Sequence, residues 1–289
     1  MKVRIALVVP LLALGLLAGC DKPAEPKVAA ATPKPADSYL ETIKARGKLI
    51  VGVFSDKPPF GFVDEKGEYV GFDTDLAKRF AKDLLGDEKS IEFVSVEPAS
   101  RIPFLQSDKV DLILANMTVT PERREAVDFT NPNLRVAVQA LVPQASSVKA
   151  VDDLATKTTI VTTGTTADLW LTQNHPDWKV LKFEKNSESL QALANGRGDA
   201  YAQDNLVLFN WAKQNPGYRV LPQKLGDEAP IAPAVKKGNT ELRDWVNAEL
   251  ARLGEEKYLL ALYDQYVRKD LADGTDPSSV IVEGGHWKP

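Results

Sequence analysis

Two hydrophobic periodicities alternate along the chain from Lys48 onward. The apolar runs LIVGVF (49–54), IEFVSV (91–96) and VDLILAN (110–116) have the length and composition of strands. Between the first two, GFDTDLAKRFAKDLLG (71–86) puts Leu76, Ala77, Phe80, Ala81, Leu84 and Leu85 on one face. That spacing predicts an amphipathic helix, started by a cap at Asp73 or Thr74 and ended by Gly86. A short helix is expected around Arg101 to Ser107. Continuous apolar strands joined by helices predict a parallel sheet covered on both faces. A second series with the same rhythm follows LRVAVQALVP (134–143). It contains strand TIVT (159–162), a helix from about Thr165, strand WKVLKF (178–183), a helix through SESLQALANG (187–196), strand DAYA (199–202) and a helix from Leu206 to Lys213. The extended segment APIAPAV (229–235) then leads to two helices, at about 239–253 and 255–267. The fold class is therefore α/β with two lobes, and a cleft at the carboxyl ends of the strands is the expected site.

The first 37 residues follow neither period. Lys2 and Arg4 precede an apolar run from Ile5 to Gly19 that ends in Leu-Ala-Gly-Cys. The run is too short and wrongly flanked for a membrane span and has the layout of a secretory signal over residues 1–19. Cys20 is the one cysteine of the chain, so it has no internal disulfide partner. Its setting resembles a bacterial lipobox, which implies lipidation of Cys20. Asp21 resembles the signal that retains lipoproteins at the inner membrane. Residues 20–37, with prolines at 23, 26, 33 and 35, are too poor in apolar groups to fold and read as a tether. In an extended polyproline form such a tether reaches roughly 50 Å. The composition, 44% hydrophobic and 26% charged over 289 residues with a net charge of −4, is globular and lacks the basic patch of a nucleic-acid binder.

Little in the sequence suggests catalysis. Neither His175 nor His286 has metal-ligand spacing, and no nucleophile elbow, zinc-protease, Walker or dinucleotide motif is present. No cofactor is expected. His175 before Pro176 reads as a helix-end residue, and the RGD at 197–199 as a turn between a helix stop and a strand. Asn116-Met117-Thr118 fits a glycosylation sequon but sits at a buried strand end. The informative stretch is ANMTVTPERREAVDF (115–129), where an apolar strand runs directly into Thr118 and Arg123. An arginine with neutral donors in a partly dry pocket holds a carboxylate well. By spacing alone, a solvated loop that opens a short helix is the stronger reading. Asp204, before NLVLFNWAKQ, reads as a helix cap.

GFDTDLAKRFAKDLLG followed by TVTPERREAVDF resembles the polar amino-acid binding proteins of ABC importers, solute-binding protein family 3. The resemblance runs from about Lys48 to Val267. It implies the two-lobed type II periplasmic binding protein fold: lobe 1 from 38–140 and 232–267, lobe 2 from 141–231, and a C-terminal tail at 268–289. Hinges would lie near 137–143 and 229–235. By position, Thr118 and Arg123 would bind the ligand's α-carboxylate and Asp204 its α-ammonium group. The backbone of Ala115, Asn116 and Met117 would lie along the ligand, and Thr165 and Thr166 would offer a helix N-terminus. Phe60 would wall the pocket, and Arg101 takes the position that binds side-chain carboxylates in acidic-ligand members. Phe54 stands where those members carry a cation and glutamine binders an aspartate. Local runs such as VDLILANMTVTPER, IAPAVKKG and VIVEGG resemble L-cysteine-binding members most. Glutamate, aspartate or another small polar amino acid is the alternative ligand. A dehydratase on the same fold, which would need Asp56 or Asp204 as general acid, and an adhesin are the alternative classes. The expected partners are an amino acid, an ABC permease with its ATPase, and the membrane through the lipid only. The protein is expected to be a monomer on the periplasmic side of the inner membrane.

Overall fold

The computed structural model describes residues 38–286. The signal segment, Cys20, the tether and residues 287–289 lie outside the described residues. The first sheet has the order Ile91–Ser95, Leu49–Val53, Leu112–Ile113, Ala234–Lys236, Val127–Phe129. Its first three strands are parallel, as the apolar runs predict, and Ala234–Lys236 returns antiparallel between Leu112–Ile113 and Val127–Phe129. The second sheet, in the order Lys179–Phe183, Thr158–Thr162, Ala200–Asp204, Val138–Pro143, Tyr218–Val220, is parallel across its first three strands and antiparallel beyond. Two separate sheets, each packed on helices, make the two lobes.

Between the sheets the chain crosses twice. Leu134–Val136 leads outward and Ala229–Ile231 leads back, and the two pair antiparallel. Strand Val138–Pro143 is continuous within the second sheet and contains the expected lobe division at 140/141. The change of sheet falls at Ala137, whose N–H donates to Asn205 Oδ1.

Local chemistry explains most element boundaries. The helix Phe72–Leu85 buries Leu76, Ala77, Phe80 and Ala81, and Gly86 ends it in the left-handed region. Its start differs from expectation: neither Asp73 nor Thr74 caps it. Gly71 occupies the cap position at φ 125°, and a Cβ there would sit 2.4 Å from the Phe60 carbonyl oxygen. Only glycine fits that approach. Asp73 is thereby freed to point inward. A helix not expected from the periodicity, Tyr39–Arg46, is capped by Ser38, ends at Gly47 and buries only Ile43. One buried residue in eight leaves almost no amphipathic signal to read.

The C-terminal tail, for which the sequence offered no role, is built into the first lobe. Val280, Ile281 and Val282 are buried, and Ile281 bridges to Leu134 on the crossing strand. The Val282 N–H donates to the Asn133 carbonyl at 2.9 Å, and the Arg135 N–H donates to the Val280 carbonyl at 2.8 Å. The Glu283 carboxylate accepts from the Leu259 and Leu260 N–H groups and so caps the Tyr258–Tyr266 helix. Ile281→Ala is expected to cost about 2–4 kcal/mol. Urea unfolding should show a lower midpoint at unchanged slope; an unchanged midpoint would mean the tail is not part of the cooperative fold.

Candidate functional site

The site begins where strands of both sheets end. After Leu49–Val53 the chain presents Phe54 and then Lys57, and after Leu112–Ile113 it presents Asn116, Met117 and Thr118, all buried. Asn116 sits at φ 43°, a turn that aims the following residues across the strand ends. Pro121 opens the helix Pro121–Ala126, capped by Thr120, and places Arg123 on its inner side. Arg101 comes from the helix Arg101–Gln106 and Asp73 from the first turn of Phe72–Leu85. From the other lobe, Ala200–Asp204 ends by delivering Gln203 and Asp204.

Five ionisable groups therefore meet in the interior: Lys57, Asp73, Arg101, Arg123 and Asp204, none more than 6% exposed. Arg123 donates from Nη1 to the Thr118 carbonyl at 2.7 Å and from Nη2 to the Gly164 carbonyl of the other lobe at 3.0 Å. Burial pulls its pKa down to about 10 against the opposing pull of Asp204. Arg101 donates from Nε to Pro98 O at 3.0 Å, and from Nη1 to Ala115 O at 2.9 Å and Asn116 O at 3.1 Å. Burial, with the neighbouring Arg123 charge, holds its pKa well below the ordinary range. Lys57 Nζ lies 3.7 Å from Asp204 Oδ2 and 3.4 Å from Gln203 Oε1, and burial lowers its pKa to about 8. Lys57 and Arg101 both approach the Phe54 ring, at 5.0 and 5.6 Å from its centroid. Asp73 accepts from the Asn116 N–H at 2.7 Å, and burial raises its pKa to about 7.

Several polar atoms in this cluster have no partner among the described residues. They are Asp73 Oδ1, Asp204 Oδ1 and both side-chain polar atoms of Asn116. Buried orphans at this density are expensive, and gathered here they mark a place for a polar ligand. Two cavities open onto it. One, of ≈190 Å³, is lined by Thr118, Thr166 and Asp204 with Leu169 and Trp170; the other, of ≈360 Å³, by Arg101, Met117, Arg123 and Gly164 with Leu169.

The expected residues thus converge, with adjustments. Asp204 precedes the helix Asn205–Gln214, but its side chain makes no cap; Asn205 Oδ1 accepts from Leu206 N instead. The Thr165 hydroxyl caps its own helix, accepting from Asp168 N and donating to the Thr162 carbonyl. The N–H groups of Thr166 and Ala167, at the first positions of Thr166–Asn174, have no partner within that helix. Phe60 is fully buried in the large apolar core with Phe72 and Leu76, and its carbonyl accepts from Asp73 N. Arg101 is not a surface arginine. The sequence reading missed Lys57, Asp73 and Gln203 as site members. Nothing local separates Lys57 from a solvated lysine in a proline-rich turn, although Gly71 at the helix start was a signal that Asp73 had no cap to make.

The lobes touch around this cluster. The Ser187 N–H donates to Asp56 Oδ2 at 2.8 Å, Asn186 Nδ2 donates to the Asp56 carbonyl at 3.1 Å, and Gly164, at φ 77°, approaches Ala99 so closely that a Cβ would lie 3.0 Å from its backbone. The remaining motifs are structural. His175 stacks on Trp178 at 3.8 Å, Asp199 accepts from Thr158 N in a turn, and the sequon asparagine is buried.

Residues 49–269 match the model of the bacterial extracellular solute-binding proteins, family 3. The chain belongs to that family. Among its relatives, the ABC transporter glutamine-binding protein GlnH of Bacillus subtilis is 34% identical over 92% of this chain and 97% of its own. Two solved structures are closer in sequence. The cysteine-binding protein from Campylobacter jejuni is 46% identical at TM-score 0.83, covering 84% of this chain and 98% of that one. A solute receptor for L-cysteine of Neisseria gonorrhoeae is 45% identical at TM-score 0.82, covering 84% and 99%. As a family 3 member the chain is an extracytoplasmic amino-acid-binding protein of an ABC transporter and not an enzyme. Among the described residues no helix is long and apolar enough to cross a membrane.

The buried Asp73 makes the family 3 site costly at alkaline pH. Its folded pKa lies above its unfolded value, so between about pH 4 and pH 7 the folded state binds more protons than the unfolded one. Stability from this group is present at the acid end and is lost as pH rises through about 7. Asp73→Asn keeps an acceptor for Asn116 N and is expected to flatten that decline. Urea unfolding at pH 5 and pH 8 without ligand checks it; an equal decline in both proteins would assign the pH dependence elsewhere.

Proposed function

We propose that this protein captures L-cysteine outside the cytoplasmic membrane and delivers it to an ABC permease. In this reading Arg123 and Thr118 bind the α-carboxylate, Asp204 binds the α-ammonium group, and the Thr166 and Ala167 N–H groups add donors from the second lobe. Phe54, Phe60 and Met117 bound a small, partly apolar space for the side chain. The observation that carries the reading is the buried cluster itself, in which Arg123 and Asp204 come from different lobes within Coulombic reach of each other. A zwitterion set between them satisfies both, and a ligand held by both lobes shifts a hinge equilibrium toward closure. The hinge is the crossing pair Leu134–Val136 and Ala229–Ile231. Preference for cysteine rests on the likeness to the Campylobacter and Neisseria proteins.

We further propose that the protein is lipidated at Cys20 and held at the periplasmic face of the inner membrane by its 20–37 tether, acting as a monomer. A second reading, glutamate or aspartate as ligand, is favoured by the buried Arg101, a cation available to a side-chain carboxylate.

Thermal shift of residues 38–289, which contain every described strand and core cluster, against the twenty amino acids and cystine tests the ligand. At a hundred times its Kd the ligand adds about 2.7 kcal/mol. A shift with cysteine alone supports the proposal, one with glutamate or aspartate supports the second reading, and none would sink both. Arg123→Ala is expected to weaken binding by about 2–5 kcal/mol, roughly 30-fold to a few thousand-fold. Unchanged affinity in calorimetry would reject the carboxylate role.

A further inference from the structure

The charges in the cleft do not balance a neutral zwitterion. Lys57, Arg101 and Arg123 bring three cations, and Asp73 and Asp204 bring two carboxylates, all buried. A ligand contributing only an α-carboxylate and an α-ammonium group leaves the sum at one positive charge in the interior. The groups facing this space come from every wall. They are Lys57 and the half-buried Asp56 after the first strand, Asp73 from its helix, Arg101, Arg123 beside the exposed Glu122, Asp204 with the uncharged Gln203 and Tyr201, and the exposed Asp227 at the cavity rim. Asp56 is occupied by the Ser187 N–H and Glu122 faces solvent, so neither supplies the missing buried anion. Burial favours the neutral form of Asp73 and equally those of Lys57 and Arg101, so a buried anion beside the two cations would steady their charges.

Once Arg123 is assigned to the carboxylate and Asp204 to the ammonium group, Lys57 and Arg101 remain. Both approach the Phe54 ring, and the Arg101 charge acts on Lys57, so the two cations lie within Coulombic reach of each other. Arg101 is anchored by carbonyls at Nε and Nη1, which fixes its charge in place. Among the described residues the polar partners of Lys57 Nζ are Gln203 at 3.4 Å and Asp204 at 3.7 Å, distances that leave its ammonium group poorly satisfied.

We propose that Lys57 and Arg101 form an anion subsite for the ligand's side chain, and that cysteine binds there as the thiolate. This inference rests on the cysteine reading above. The S–H proton passes to solvent on binding, no bond to sulfur other than S–H changes, and the thiolate supplies the negative charge that neutralises the buried cluster. A free cysteine thiol, with an ordinary pKa of about 8.5, is almost wholly protonated at pH 7, so binding at that pH releases a proton that a serine or S-methylcysteine ligand does not have to give.

Calorimetry of residues 38–289 at pH 7, in buffers of different ionisation enthalpy, counts that proton. The expected result is about one more proton released per L-cysteine than per L-serine, with the ultraviolet band of a thiolate appearing as cysteine is added. Lys57→Met is expected to weaken cysteine binding by roughly 30-fold and to reduce the thiolate band, while changing serine binding much less. Cysteine that binds with no extra proton and no thiolate band overturns the inference but leaves the ligand assignment standing. An equal loss of cysteine and serine binding in Lys57→Met also overturns it, because Lys57 would then serve the shared head group. Absence of any cysteine binding removes the ligand assignment, and this inference with it.

Discussion

Holding more cations than carboxylates in the dry interior is the constraint around which this fold is arranged. Each buried ion costs several kcal/mol, and the chain tolerates five of them where two sheets end. Main-chain carbonyls anchor Arg101 and Arg123, while one oxygen of Asp73 and one of Asp204 stay unengaged at a further cost. Arg123 shows the arrangement most clearly. One arm is fixed within its own lobe at Thr118, and the other reaches the Gly164 carbonyl across the cleft. The same guanidinium thus belongs both to the ligand-facing cluster and to the joint between the lobes. On the proposed reading, capture and closure draw on one set of groups.

Such an arrangement demands exact backbone placement, and the local sequence provides it. Asn116 and Gly71 are two points in the first lobe where a positive φ departs from ordinary strand or helix geometry. Each redirects a polar residue inward: Asn116 turns its side chain into the cluster, and Gly71 starts a helix so that Asp73 need not. The hydrogen bond between Asp73 and Asn116 N ties the two departures together.

The sequence made the lobes legible because helix and strand periods alternate cleanly. It made Thr118, Arg123 and Asp204 legible because their motifs are local and resemble a known family. What it concealed has physical causes. Lys57 meets Gln203 and Asp204 of the second lobe, a fact of tertiary structure with no local trace. The Tyr39–Arg46 helix buries too little to show a period. The tail lacks any period because it packs as an irregular strand beside Leu134–Val136, where three consecutive residues are covered on all sides. The resemblance supplied roles for residues, but neither it nor the spacing revealed the excess of positive charge, which appears only when side chains from five segments are counted together.

Strand Ala234–Lys236 has a consequence for how the chain comes to be folded. It lies between Leu112–Ile113 and Val127–Phe129, so the first sheet is incomplete until more than a hundred intervening residues have been made. The second sheet is drawn wholly from 138–220, one continuous stretch. The lobe that begins earlier in the chain is therefore finished later, and the middle of the chain is free to fold first. With Val280–Val282 needed to cover the crossing strand, the first lobe is completed by segments that follow the whole of the second in the chain.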